Sequence, residues 1–395
     1  DAGARRGVAR RRERANMSYE LIEVPLSDRA LVERFIRVPW YIHREHCPSE
    51  HWVPPLLMDR RDYLNPQKNP FFAHVQAAFW LARKDGRDVA RVAAVRDEDY
   101  IKFHGEQTGY LGMFECPDDP RLAQLLVDTA ANWLKGRGCV GMIGPFELSI
   151  NYISGVLIDA FDRDPGINMP YSPPYYDRLL QGTGMTKARD LFQWGLDPQK
   201  PVPERIARLA EKMKSRSGVT VRPMRFDDWD AEVLRTNEIY NDAWEKNWGF
   251  VPVGREEYLH LAKDIKMVLE PGLPIIVEKD GEPVAFVITM MDVNPVLKKL
   301  DGRLFPFGIL RLLWDLKVRK VVKGGRLILL GIKAAYRGQG IDTLLFLETH
   351  RAAQRLGWTS GQIGWTLEDN HRVNAAIGAM GGEKIATYRV YQKPL

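Results

Sequence analysis

The chain has 395 residues, of which 45% are hydrophobic and 27% are charged, the composition of a globular protein. This length exceeds that of one ordinary domain and predicts two. The longest apolar runs, such as LILLGI at 327–332, are far shorter than the ~20 residues of a membrane-spanning helix, and no signal-peptide core is recognisable. Three cysteines without metal spacing indicate a reducing, cytoplasmic location.

The basic charge is concentrated at the start of the chain. Residues 1–16 hold six arginines against two acids, so +4 of the formal net charge of +6 lies there. The remainder shows no basic stripe, which argues against a nucleic-acid-binding function. Because Met17 follows directly, we interpret 1–16 as a disordered or non-native extension. A basic arm for nucleic acid or acidic lipid is the alternative.

The first half, 17–197, predicts an alternation of strands and helices. Its predicted elements, in chain order, are a hairpin around Asp85-Gly86, a strand, a helix that ends in glycine, a strand, an insertion rich in Tyr, Asn and Pro, and a closing helix and strand (77–95, 108–115, 120–138, 140–144, 146–174 and 175–196). The segment 198–217 has the prolines and charged helical pattern of a linker helix.

The second half, 218–395, repeats the same plan. Its predicted elements are a strand, helical material, a hairpin around Asp280-Gly281, an insertion, a central strand, a helix from Ile341 to Gly357, a strand, a short helix and a final strand (219–224, to about 270, 274–293, 294–325, 326–334, 341–357, 361–367, 370–382 and 384–393). An internal duplication accounts for this order most simply.

The sequence YRGQGID at 336–342 joins the central strand to the helix that follows it. The first N–H groups of a helix lack internal partners and carry the positive end of its dipole. Glycines let the backbone approach phosphate oxygens closely, and Arg337 adds a positive charge. The loop therefore predicts a phosphate site. Asp342 lies in the first helical turn, where an acid is favoured by the helix dipole. Phosphate binding is retained if its carboxylate points away from the phosphates, and donor affinity falls if it points at them.

This strand, loop, helix, strand, Asn-led helix and terminal strand resemble the GCN5-related N-acetyltransferase (GNAT) superfamily. The resemblance implies an α/β (α+β) fold of two tandem GNAT-like domains, each a mixed, mostly antiparallel twisted sheet flanked by helices. It also implies acetyl-CoA or a longer acyl-CoA as co-substrate, with a carrier-protein thioester as the alternative. By the same resemblance, the backbone of the strand end holds the pantetheine arm and the thioester, and the loop holds the pyrophosphate (Gly331, Ile332, Lys333, Arg337, Gly338, Gln339, Gly340, Ile341 and Asp342).

The first half lacks this loop. At the matching place it has ECPDDPR at 115–121, with three acids, two prolines and no glycine. Such a turn would repel a pyrophosphate and offers few free N–H groups. We therefore interpret the first half as a degenerate GNAT-like domain that does not bind coenzyme A. It either has a structural role or shapes the acceptor pocket.

Acyl transfer to an amine needs a base, donors for the oxyanion and an acid for the leaving thiolate. After the phosphate loop, its helix and the next strand, the resembling family commonly has a helix that starts with Asn and carries Tyr seven residues later. Asn370 matches, but Ile377 stands at the tyrosine position, so the acid is open. We predict Glu368 as the base and Tyr388 as a further catalytic residue. The remaining candidates on these elements are His371 and Tyr391.

No metal site is predicted, because the three histidines and one cysteine in 43–51 fit no standard zinc spacing. The insertion 294–325 contains an amphipathic, basic stretch at 304–320. We expect a core helix that closes the domain interface, a lid over an apolar acyl or acceptor channel, or a surface that touches a membrane. In layout and in this insertion the chain resembles the long GNAT-like proteins of bacterial ceramide synthesis.

The ceramide-type resemblance implies long-chain acyl transfer to a sphingoid-type amine, and so a role in lipid metabolism. The expected location is the cytoplasm, with peripheral contact at the inner membrane face through 304–320. Two alternatives stay open: a GNAT acetyltransferase for a small polar amine or amino acid, and a non-catalytic module that binds an acyl thioester or lipid.

Overall fold

The computed structural model describes residues 19–395, so the predicted tail 1–16 lies outside the described residues. Within this range, thirteen strands form one mixed sheet flanked by twelve helices. The strands are β1 (Glu20–Glu23), β2 (Val75–Lys84), β3 (Arg87–Asp97), β4 (Thr108–Glu115), β5 (Gly141–Phe146), β6 (Val156–Leu157), β7 (Thr186–Leu196), β8 (Val219–Pro223), β9 (Ile275–Lys279), β10 (Glu282–Met291), β11 (Gly324–Ile332), β12 (Ser360–Leu367) and β13 (Glu383–Pro394).

The helices lie between the strands in the chain. They are α1 (Arg29–Tyr41), α2 (Leu57–Tyr63), α3 (Glu98–His104), α4 (Pro120–Lys135), α5 (Tyr176–Gly182), α6 (Glu204–Ser217), α7 (Trp229–Trp244), α8 (Arg255–Lys266), α9 (Asn294–Leu300), α10 (Gly308–Leu313), α11 (Ile341–Arg355) and α12 (His371–Ala379). Of these described helices, none is both long and apolar enough to cross a membrane.

The two predicted hairpins are confirmed. Asp85 and Gly86 join β2 to β3 with φ of 50° and 78°, and Asp280 and Gly281 join β9 to β10 with φ of 52° and 85°. Two consecutive positive φ angles are what a tight turn needs to match the twist of its strands.

The central helix α11 is also confirmed. Ile341, Leu345 and Ala352 are buried on its predicted apolar face, whereas Leu356, just after its end, is 38% exposed. Gly357 follows with a φ of +68°, the left-handed conformation that ends helices. The helix packs on the sheet through this face and so fixes the loop that precedes it.

The halves exchange their closing strands. The sheet order is β1-β2-β3-β4-β5-β13-β7-β12-β11-β10-β9-β8, so β13, the last strand of the chain, lies between β5 and β7 of the first half. In turn β7 pairs with β12 of the second half. The sheet is therefore continuous across the linker helix α6. The domain limits 17–197 and 218–395 stay a prediction, and neither half completes its sheet without the other.

A cleft opens where β11 and β12 part. These parallel strands pair only from Gly324↔Ser360 to Leu327↔Ile363, although both continue beyond that point. A register shift against β10 also leaves Ile328 as an extra residue at the same place. In the first half, the last pair of the parallel strands β4 and β5 is Gly112↔Phe146, where β5 ends while β4 continues to Glu115.

Candidate active site

One cavity connects the two clefts, with a volume of about 1110 Å³. This exceeds the ~300–1,000 Å³ of pockets for drug-sized ligands, so it suits a larger molecule. Its second-half wall is largely apolar and includes residues of both parting strands (Leu327, Ile328, Leu329, Leu330, Ile332, Ile363, Trp365 and Leu367). Its first-half wall mixes apolar and charged side chains (Ile36, His43, Trp52, Arg60, Arg91, Met113, Glu115, Phe146 and Glu147).

The predicted phosphate loop lies at the rim of this cavity. Gly338 and Gly340 have φ of +79° and +87°, a conformation that favours glycine. Gly340 is the N-cap of α11 and, as a glycine, has no side chain that could cap the helix. A Cβ at Gly340 would come within 3.4 Å of the Met213 side chain. The loop therefore presents bare backbone at a helix start, which fits a phosphate group.

Arg337 braces the loop. Its guanidinium donates to the carbonyl oxygens of Ile332 (3.2 Å), Asp242 (3.1 Å) and Ala243 (2.9 Å). Similarly, the Gln339 side-chain amide donates to the Ala335 carbonyl at 3.2 Å. Both side chains thus hold the backbone of the loop in place.

A second arginine, which the sequence reasoning missed, lies across the loop. Arg372 of α12 lines the cavity, and its Nη2 is 3.9 Å from the place where a Cβ of Gly338 would lie. The same nitrogen lies 4.0 Å from Asp342 Oδ2, while Asp342 Oδ1 accepts the Thr343 N–H at 2.9 Å. The Asp342 carboxylate therefore hydrogen-bonds within the first turn of its own helix. Arg372 has a long side chain whose guanidinium would contact a phosphate bound at the loop.

The three residues at the strand end before the loop, 331–333, have different surroundings. Ile332 lines the cavity. A Cβ on Gly331 would lie within 2.6 Å of the Phe286 ring and 2.8 Å of the Trp244 ring, so this glycine serves close packing. The Lys333 N–H donates to the Val284 carbonyl at 2.9 Å and is already part of the sheet.

Of the three predicted catalytic residues, the cavity wall includes Asn370. Its side chain accepts the Val373 N–H at 3.4 Å and so caps α12. Neither Glu368 nor Tyr388 is among the described residues of the wall. Their roles stay predictions.

Glu368 and Tyr388 have other partners in the structure. The Glu368 carboxylate accepts from Lys187 Nζ at 2.7 Å and from the Asp190 N–H at 3.0 Å. Tyr388 is 1% exposed, and its hydroxyl donates to Gln193 Oε1 at 2.7 Å. Burial raises the Tyr388 pKa, so this hydroxyl keeps its proton at neutral pH.

The other candidates are accounted for by packing. Ile377 is fully buried in the core beneath α11 and has no group that could protonate a thiolate. The Tyr391 hydroxyl donates to Asp177 at 2.5 Å, within the first half of the sheet. His371 is the exposed first residue of α12.

The helix of the first half that matches α11 is capped by its own sequence. Asp119 accepts the N–H groups of Arg121 (2.9 Å) and Leu122 (3.2 Å) at the start of α4. The Tyr19 hydroxyl donates to the same carboxylate at 2.6 Å. Two helix N–H groups that could bind an anion are therefore taken by the Asp119 carboxylate, whereas at the start of α11 the Asp342 carboxylate takes one, that of Thr343.

The first-half cleft contains buried ion pairs instead. Arg60 Nη1 lies 2.6 Å from Glu147, and Arg91 Nη2 lies 3.5 Å from Glu115. Burial lowers the pKa of the nearby His43 to about 3, so this imidazole is neutral. The two pairs cancel in charge.

The segment 304–320, called the lid here, has two different faces. Ile309, Leu312 and Leu316 line the cavity. Asp315 is 1% exposed and forms an ion pair with Arg319 at 3.1 Å. The outward face exposes six large apolar side chains (Phe305 64%, Phe307 76%, Leu310 64%, Leu313 43%, Trp314 57% and Val318 58%). Because no residue of α10 is buried, the segment is not a core helix.

No family model matches the chain, but two curated proteins do. It is 37% identical to the bacterial ceramide synthase of Caulobacter vibrioides, over 95% of this chain and 98% of that protein. It is 31% identical to protein YghO of Escherichia coli, over 96% of this chain and 97% of that protein.

Solved structures share the fold over nearly the whole chain. A tandem GNAT protein from the clavulanic acid biosynthesis pathway aligns with a TM-score of 0.55 at 13% identity, over 95% of this chain and 98% of that one. A GCN5-related N-acetyltransferase from Sphaerobacter thermophilus aligns with a TM-score of 0.50 at 13% identity, over 95% of both chains. The predicted tandem fold is thus confirmed.

Proposed function

Since this chain belongs to the GNAT superfamily, in the family of the Caulobacter ceramide synthase and YghO, we propose that it is an N-acyltransferase for lipids. It would move an acyl group from a coenzyme A thioester to the primary amine of a long-chain, sphingoid-type acceptor. The observation that carries this proposal is the single cavity of about 1110 Å³ that joins the cleft between β11 and β12 to the lid and the first half.

The donor would bind along β11. The N–H groups at the start of α11, framed by Gly338 and Gly340, would hold the pyrophosphate together with Arg372. The pantetheine arm would lie in the cleft beside Ile332. The apolar wall deeper in the cleft favours a long acyl chain over acetyl, because each buried CH₂ group contributes ~0.8 kcal/mol.

The acceptor would enter beneath the lid. Ile309, Leu312 and Leu316 extend the apolar wall to the surface, where a chain could pass from a membrane into the cavity. The lid holds four basic residues against one acid, a net charge of +3, which suits an anionic lipid surface. We therefore include peripheral contact with the inner membrane face in the proposal.

The attacking amine needs a general base that removes its proton. Glu368 remains the predicted base, and it would have to leave Lys187 or act through water to reach an amine. For this role to stand, Glu368→Gln must lower kcat by about 10²–10⁴-fold, the usual contribution of a general base. A smaller loss of kcat together with a lower melting temperature would show that Glu368 has a structural role and links the end of β12 to β7.

The decisive assay measures thiol release from palmitoyl-CoA and acetyl-CoA with a panel of amines. We expect turnover with palmitoyl-CoA and a long-chain 2-amino alcohol, and little with acetyl-CoA and a small polar amine. Faster turnover with the small pair would favour the small-amine alternative. Tight binding of palmitoyl-CoA without transfer to any amine would favour a non-catalytic binding module.

We also expect one coenzyme A per chain. Calorimetric titration should give a stoichiometry near one, because Asp119 occupies the helix start of the first half. A stoichiometry near two would contradict the assignment of the first half as degenerate. Asp119→Ala should lower stability by about 1 kcal/mol, as for the loss of a helix cap, and leave the stoichiometry unchanged.

A further inference from the structure

Three buried arginines line the cavity, and one of them lacks a counter-ion. Arg60 and Arg91 each form an ion pair with a glutamate. Arg326, on β11, is 5% exposed and forms no ion pair within residues 19–395. Asp292 influences it electrostatically without touching it.

The hydrogen bonds of Arg326 all go to neutral backbone oxygens. Its Nε donates to the Gly364 carbonyl at 2.9 Å, and its Nη1 donates to the carbonyls of Ile167 (2.6 Å) and Asn168 (3.2 Å). Its Nη2 makes no hydrogen bond within the described residues. Burial lowers the pKa of Arg326 to about 10, so the side chain is still charged at neutral pH. A buried charge without a direct ion pair is costly, so a ligand oxygen that accepts from Nη2 would stabilise it.

Arg326 lies at the inner end of the cleft between β11 and β12. It directly precedes Leu327, which forms the last pair with β12 at Ile363, and it holds Gly364 just beyond that pair. The six residue steps from Arg326 to Ile332 span roughly 20 Å at about 3.3 Å per step. A donor held at the glycine loop, with its pantetheine arm extended along β11 beyond the strand end at 331–333, would therefore bring its thioester close to Arg326, deeper in the cleft than the family resemblance implies.

On the basis of the proposed function, we propose that Arg326 is a catalytic residue whose Nη2 donates a hydrogen bond to the thioester carbonyl oxygen and to the oxyanion formed from it. The amine nitrogen attacks the carbonyl carbon, and the C=O π pair moves to the oxygen beside the guanidinium. That pair then re-forms C=O while the C–S bond breaks and its electrons leave on sulfur. The proton lost by nitrogen ends on the thiolate.

The kinetic test uses Arg326→Met and Arg326→Lys. Loss of one oxyanion donor typically costs about 10²–10³ in kcat. We expect a fall of this size for Arg326→Met, with KM for both substrates nearly unchanged and with part of the rate retained by Arg326→Lys. The fall should be the same for octadecylamine and for a long-chain 2-amino alcohol. An unchanged kcat would overturn the proposal. So would a loss confined to the oxygen-bearing acceptor with a raised KM, because Arg326 would then bind the acceptor.

A spectroscopic test separates hydrogen bonding from support of the backbone. Infrared spectra of bound palmitoyl-CoA, labelled with ¹³C at the carbonyl and without amine, should show a lower C=O frequency on the wild-type protein than in water. Arg326→Met should remove that shift while calorimetry gives the same palmitoyl-CoA affinity. An unshifted carbonyl on the wild-type protein would overturn the proposal even if the variant failed to fold. Absence of transfer by the wild-type protein, with the shift present, would contradict the proposed function alone.

Discussion

Replacement of Gly340 by valine is expected to lower the affinity for coenzyme A about tenfold or more in calorimetric titration, with the protein still folded. Gly340 has a φ of +87°, and a left-handed conformation costs a side-chain-bearing residue about 1–2 kcal/mol. A Cβ there would lie 3.4 Å from Met213, an ordinary van der Waals contact, so the strain comes from the backbone conformation. Relief of that strain displaces the backbone at the start of α11, where phosphate oxygens would bind, and 1.4 kcal/mol already equals a factor of ten.

Gly357→Val is the matched control. Gly357 follows the other end of the same helix with a φ of +68°, and a Cβ there would meet nothing within 4 Å. It imposes a similar backbone strain far from the loop, so it should lower the melting temperature without changing the affinity. Equal losses of affinity in both variants would mean that the effect is global. An unchanged affinity in Gly340→Val would remove the loop from the coenzyme A site.

Local features could be predicted from the sequence because each depends on a few neighbouring residues. Asp280-Gly281 specifies its turn through two positive φ angles, and Gly340 specifies the helix start in the same way. In the first half, Asp119 directly precedes the helix α4 in the sequence and caps it in the structure. These features depend on backbone conformation and short-range hydrogen bonds, which are determined by a few residues that are adjacent in the sequence.

Strand partners and site residues far apart in the chain could not be predicted in this way. β7 and β13 are both long closing strands with aromatic residues, so the sequence does not say that β13 crosses into the first half. Arg372 reaches the loop only because α12 starts beside it, and Arg326 enters the cleft only because β11 and β12 part after Leu327. Tyr388 lies outside the described cavity wall, on a strand that runs between β5 and β7 of the first half.

The cavity face of the lid should determine chain length. Leu312 is half-buried and lines the cavity, so Leu312→Ser should cut activity on palmitoyl-CoA and long-chain amines more than on short ones. The melting temperature should change little, whereas truncation of a core residue would cost about 2–5 kcal/mol. A large loss of stability with unaltered chain-length preference would show that Leu312 is structural.

The outward face of the lid should instead determine membrane binding. The combined variant Phe307→Ser, Leu310→Ser and Trp314→Ser removes side chains that are 76%, 64% and 57% exposed, so folding should be unaffected. Sedimentation with anionic vesicles should fall sharply, and activity on detergent-solubilised substrates should be kept.

The control for the outward face is the pair Leu209→Ser and Val140→Ser, which removes apolar side chains that are 51% and 67% exposed outside the lid. Vesicle binding should survive in this pair. Each Lys or Arg near an anionic surface adds about 1 kcal/mol, so raised salt should weaken binding of the wild-type protein while neutral vesicles bind it poorly. Equal binding by the lid variant and the control would mean that the exposed apolar face serves another purpose and that the acceptor reaches the cavity from solution. Leu312 would still line the acyl channel in that case, because its role depends on the cavity and not on the membrane.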